Sequence, residues 1–146
     1  MKFWTKNKSW SNRFNFLDFT LILYPSFNMK IYHNPRCSKS RCALDWLQQN
    51  DFDIEVVDYL KSPLNAVELK SILTALKMKP MDLIRRNEAE FKEHIEGKKL
   101  NDDEIILKMV NFPKLIERPI VVWEGLAVVA RPLEKLTEML RCLIKK

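Results

Sequence analysis

Glycine is almost missing from this chain: Gly97 and Gly125 are the only two in 146 residues. Phosphate cradles of the dinucleotide or P-loop kind need several glycines within a few positions, so both are excluded. Cysteine is scarce and odd in number, at Cys37, Cys42 and Cys142, and no close pair has the spacing of a zinc site. No metal site is expected, and the pattern fits a reducing compartment with one working thiol, not a disulfide framework. No run approaches the roughly 18 apolar residues that would span a membrane. The short apolar piece Phe16–Tyr24 is broken by Asp18 and lacks a small-residue cleavage site, which argues against a signal peptide.

What is present is ordinary for a globular chain: 47% hydrophobic and 30% charged residues, enough for one domain with one core. The net charge of +6 is uneven. Residues 1–28 hold Lys2, Lys6, Lys8 and Arg13 against Asp18, a surplus of +3, which leaves only +3 for the other 118 residues. That mild excess forms no basic stripe of the nucleic-acid-binding kind and suits a small anionic substrate held at a cleft. Residues 1–28 also carry eight of the fifteen aromatics without a period of 2 or 3.6. They are expected to be an extension, poorly ordered or an upstream over-read of the gene, with the folded domain at 29–146; binding to a surface through Lys and Trp is the sharper alternative.

From Lys30 the pattern becomes regular. Lys30-Ile31-Tyr32 reads as a strand, Ser38–Gln49 as a helix with Ala43, Leu44 and Leu47 inward, and Asp53–Asp58 as a second strand parallel to the first. Asn65 with Glu68, and Asn101 with Glu104, are capping boxes ahead of apolar positions at helical spacing. Between them Pro80 is expected to open a short helix through Arg86, followed by a turn or helix over Glu88–Glu96. Ile120–Trp123 and Leu126–Ala130 flank Glu124-Gly125 as a hairpin, and Pro132 is placed at the first position of a final helix packed through Leu133, Leu136, Leu140 and Leu143. The order predicts an α/β fold of thioredoxin-like type, β-α-β then β-β-α, with a helical insertion at about 65–111.

The chemistry-bearing stretch is Ile31–Cys42. A strand runs into an Asn34-Pro35 turn, and Cys37 follows at the start of a helix, where free N–H groups and the dipole's positive end favour a thiolate. Such a site lowers a thiol pKa by one to several units, roughly 1.4 kcal/mol each. Arg36, Lys39 and Arg41 add charge nearby, and the same N–H groups can cradle an oxyanion. The plainer reading is a cysteine packed under a helix cap. For Cys42, about 140° around a helix from Cys37, the plainer reading is a buried small side chain, and the sharper one a resolving thiol for Cys37. His94, in a charged stretch, reads as a solvated surface residue.

Four segments together resemble the glutaredoxin- and glutathione-linked arsenate reductases: His33-Asn34-Pro35-Arg36-Cys37-Ser38-Lys39-Ser40-Arg41, Leu83-Ile84-Arg85-Arg86-Asn87, Glu117-Arg118-Pro119-Ile120-Val121-Val122 and Ala130-Arg131-Pro132. The resemblance runs from Met29 to about Leu140. It implies that Cys37 attacks arsenate, that Arg85, Arg118 and Arg131 hold the anion, and that His33 supports the thiolate. It also implies a cis peptide at Arg118-Pro119 facing the active thiol. Guanidinium forks suit a tetrahedral oxyanion better than lysines do. Ser40 stands where a C-x-x-C pair has its second cysteine and is expected to donate a hydrogen bond to the thiolate. The implied reaction is arsenate to arsenite through a thiol–arsenic adduct, with no bound cofactor and with glutathione as co-substrate and glutaredoxin as partner. No nucleic acid or membrane partner is expected, and the chain is expected to be a cytoplasmic monomer. Two other readings stay open: a regulatory relative that binds RNA polymerase, whose kind commonly carries C-x-x-C, and a thiol oxidoreductase for another substrate. The Ser38-Lys39 pair, where the best-known arsenate reductases have Gly-Thr, bears on anion selectivity.

Overall fold

The computed structural model describes residues 29–144. The expectations for residues 1–28 lie outside the described residues. The element order is β1 (Met29–His33), α1 (Ser38–Gln49), β2 (Ile54–Asp58), α2 (Ala66–Leu76), α3 (Ala89–His94), α4 (Asp102–Asn111), β3 (Ile120–Trp123), β4 (Leu126–Val129) and α5 (Glu134–Ile144). The strands form one sheet in the order β2-β1-β3-β4. β1 and β2 are parallel, whereas β3 runs antiparallel to both β1 and β4. This is the thioredoxin-like arrangement, with the helical insertion between its halves.

Alternation along the strands builds two cores. Met29, Ile31 and Val121 pack on one face with Ala43 and Leu47 of α1 and Leu136 and Leu140 of α5. Tyr32 and Ile120 face the other way, into Leu69, Ile72 and Leu73 of α2 and Ile105, Ile106 and Met109 of α4. Successive strand residues point to opposite faces, so each of β1 and β3 contributes to both layers. Both capping boxes are formed: the Asn65 and Asn101 side chains accept from the N–H of Glu68 and Glu104, whose carboxylates accept in return. The hairpin turn has positive φ at both Glu124 (51°) and Gly125 (75°), which matches the right-handed twist of the flanking strands.

Two expected helices are altered. After Pro80 only a single 3-10 turn forms, Pro80–Asp82. Ile84 then bridges antiparallel to Ile116, with the Arg85 N–H donating to Leu115 O (2.8 Å) and the Glu117 N–H to Leu83 O (3.0 Å). These long-range bonds replace the helical ones, so Arg85 follows an extended bridge residue and Arg86 lies in a turn with Asn87. Likewise, Pro132 does not open α5. Lys135 N–H donates to Pro132 O (3.2 Å) and Leu136 N–H to Leu133 O (3.0 Å), a tighter turn that precedes the helix beginning at Glu134.

Candidate active site

One edge of the sheet gathers the candidate residues. His33 pairs with Asp58, Tyr32 with Ile120 and Ile120 with Val129, so the ends of β1, β2 and β4 and the start of β3 are neighbours. Tyr59, the Cys37 turn, Arg118 and Arg131 therefore sit side by side in strand order. The carboxyl end of parallel strands is the usual place for an α/β site, because helix N-termini open there.

The turn into α1 is built from its own polar groups. Asn34 O accepts from the Cys37 N–H (3.0 Å), and Asn34 Oδ1 from the Arg36 N–H (2.9 Å). Cys37 is the N-cap of α1, with extended backbone and a half-buried side chain that makes no capping hydrogen bond of its own. Burial pushes the thiol up, but the backbone N–H groups of Ser40 and Lys39, and then the Arg118 guanidinium, outweigh it and hold the thiol below its ordinary value. The neighbouring cations Arg36, Lys39 and Arg41 are exposed, and Arg41 donates to Pro35 O (2.9 Å). The cation that acts on the sulfur is the one brought from the start of β3.

Ser40 departs from expectation. Its buried hydroxyl accepts from the Asn34 N–H (3.0 Å) and is hydrogen-bonded to His33 Nδ1 (2.9 Å), so the backbone N–H of Ser40, not its side chain, serves the sulfur. His33 acts one step further back, fixing Ser40. Burial holds the His33 ring below the usual histidine range.

The three arginines are not equivalent. Arg118 is directly at Cys37; its peptide bond to Pro119 is cis, as is Arg131–Pro132. Arg85 reaches the same region from the insertion. Glu88 ties the two together, accepting from Arg85 Nη1 and lying 3.8 Å from Arg118 Nη2. Arg118 Nη1 also donates to Lys114 O (3.1 Å), and Glu117 lies 3.9 Å from Arg85 Nε. Arg131 is exposed and stands beyond β3, roughly 10 Å or two strand spacings from the line of β1. It lines a groove of about 430 Å³ with Glu117, Asp82 and Lys135, and Cys37 is not in that lining.

Three participants were not apparent from sequence: Tyr59, Glu88 and Glu117. Tyr59 follows β2 directly and is 1% exposed; burial pushes its phenol up to about 12, against the opposing pull of Arg118 and Arg85. Its place after a parallel strand was the available signal. Glu88 and Glu117 gave none, because their role depends on the long-range pairing of the insertion. Cys42 is exposed, contrary to the buried reading, and lines a separate groove with Ser38, Asp45, Trp46 and Leu133. At its position in α1 the core-facing slots are taken by Ala43 and Leu47. His94 is not simply solvated: its ring stacks on Phe112, centroids 4.3 Å apart and 11° from parallel.

The arrangement can hold a thiolate, bind an oxyanion against it and support nucleophilic attack. A model of the ArsC family matches residues 32–139. The chain belongs to the ArsC family. Among its relatives, the protein YfgD of Escherichia coli (strain K12) is 44% identical over 113 residues, 76% of this chain and 95% of that one. An arsenate reductase of Neisseria meningitidis is 40% identical over 114 residues, covering 77% of this chain and 97% of its own. The solved structure of an arsenate reductase from Vibrio cholerae superposes with a TM-score of 0.74 at 38% identity, over 78% of this chain and 98% of that one. The ArsC match spans Cys37 and all three arginines, so every candidate residue lies inside the family domain.

Proposed function

We propose that this protein reduces arsenate to arsenite, with Cys37 as nucleophile and glutathione and glutaredoxin as the reductants. The observation that carries the reading is a cysteine at a helix N-cap whose thiol is lowered by two backbone N–H groups and by Arg118. The Cys37 thiolate attacks arsenic, and one arsenate oxygen leaves as water after taking up protons. Glutathione thiolate then attacks the Cys37 sulfur of the adduct. The electron pair of the sulfur–arsenic bond stays with arsenic, which departs as arsenite, leaving a mixed disulfide of Cys37 and glutathione. Glutaredoxin takes that glutathione by thiol–disulfide exchange and frees Cys37.

Arg118 and Arg85 would bind the anion through their guanidinium forks, and Arg131 would receive it or the glutathione carboxylates at the outer end of the row. An external thiol suits the site because Ser40 occupies the C-x-x-C partner position and Cys42 opens into another groove. Dependence on glutathione fits a cytoplasmic setting, and a monomer suffices because one chain supplies every group named. No helix among the described residues is long and apolar enough to cross a membrane. The deciding experiment measures arsenite released from arsenate by purified protein with and without glutathione and glutaredoxin. Release should need both thiols and should vanish in Cys37→Ser, and turnover retained in that variant would reject the nucleophile.

A further inference from the structure

We infer that Tyr59 is a further anion-binding residue, its phenol hydroxyl donating a hydrogen bond to the oxyanion that Arg118 holds beside Cys37. The inference rests on the proposed function and extends its binding site.

The ring of Tyr59 is fully enclosed, in one apolar cluster with Leu83, Ile84, Leu115, Ile116 and Ile120. Packing alone would be served as well by phenylalanine. The hydroxyl is therefore the part to explain, and among the described residues it meets no donor or acceptor in hydrogen-bond geometry. Burying an oxygen without a partner costs roughly 1–3 kcal/mol, so the fold gains nothing from it. The hydroxyl lies beside the Arg118 guanidinium, with Arg85 and Cys37 near enough to act on it. Arg118 Nε, a donor only, is likewise buried and without a partner among the described residues. Two unmatched groups next to the nucleophile, both able to donate, call for a ligand rich in acceptors, and a tetrahedral oxyanion presents several. The phenol also stays protonated through the neutral range, so it offers a hydrogen where a phenolate would repel the anion. The sheet places it correctly, since β2 and β1 end together at the edge where the Cys37 turn begins.

The test uses the full chain, Tyr59→Phe beside the parent, with Tyr32→Phe as a control phenol from the same core but on a strand interior. Two readouts are taken: arsenite-release kinetics over a range of arsenate, and the rise in thermal midpoint on adding arsenate. A lost hydrogen bond to a charged group predicts a KM about tenfold higher or more. The arsenate-induced rise in midpoint should shrink accordingly, while the midpoint without arsenate stays level or climbs because an unpartnered oxygen is gone. Tyr32→Phe should keep the parent's KM and arsenate response. An unchanged KM and an unchanged arsenate-induced rise in Tyr59→Phe would overturn the inference. So would a lowered midpoint with an intact arsenate response, which marks a packing role. If the parent releases no arsenite yet shows a Tyr59-dependent response to arsenate, the reductase reading fails and Tyr59 stands as an anion ligand. If the parent shows no response to arsenate at all, both fall.

Discussion

Arg118 offers the sharpest quantitative test, because the sulfur's acidity depends on a residue 81 positions away in sequence. In Arg118→Met the side chain keeps much of its bulk and loses its charge, while Glu88 remains paired with Arg85. A unit charge at about 4 Å is worth roughly 4 kcal/mol at an effective dielectric of ~20 and ~1 kcal/mol in water. Cys37 is half-buried and Glu88 offsets part of the cation, so the effect belongs near the lower figure. The thiol pKa should therefore rise by roughly one unit. The assay follows thiolate ultraviolet absorbance against pH in a Cys42→Ser, Cys142→Ser background, so that one thiol titrates. A depressed thiol pKa adds its full stability above the unfolded thiol value, and that contribution fades as pH falls from there through the folded one. The stability gap between parent and variant should accordingly be wider at about pH 10 than at about pH 6. A titration midpoint that stays put, or moves down, would refute the claim that Arg118 activates the sulfur.

Ser40→Ala should lower stability by roughly 1–3 kcal/mol in urea titrations, because the buried Asn34 N–H and His33 Nδ1 both lose their partner; exposed Ser38→Ala should stay within about 0.5 kcal/mol. Glu88→Gln removes the carboxylate that competes for the Arg85 and Arg118 forks, so arsenate should bind about fivefold tighter by calorimetry, a gain of roughly 1 kcal/mol. Because burial holds the His33 ring below its unfolded value, the unfolded chain takes up that proton first as pH falls through about 6.5. Stability should decline there and level off below the folded pKa, and His33→Asn should flatten that limb of a urea-midpoint profile.

How far the sequence carried depends on the range of each interaction. The Asn65 and Asn101 boxes, the Glu124-Gly125 turn and the Cys37 helix start were legible because each is closed by residues within a few positions of one another. The strands at Lys30–Tyr32 and Asp53–Asp58 were legible for the same reason, since each is marked by its own short run of β-forming residues. The insertion was less so. Local pattern extended a helix through Arg86, whereas the bridge of Ile84 to Ile116 breaks that helix and sets Arg85 beside Glu88 and Glu117.

The sequence by itself determined that a thiol would sit at a helix N-terminus, because the strand, turn and helix that place Cys37 are contiguous and their dipoles act over one turn. The tertiary structure decided which groups surround that thiol. Strand order set Arg118 and Tyr59 on either side of it and left Arg131 farther out, and only folding could bury a phenol with no partner among the described residues. Charge and burial act through space, so the residues that tune this sulfur are those the sheet makes adjacent, not those the chain makes consecutive.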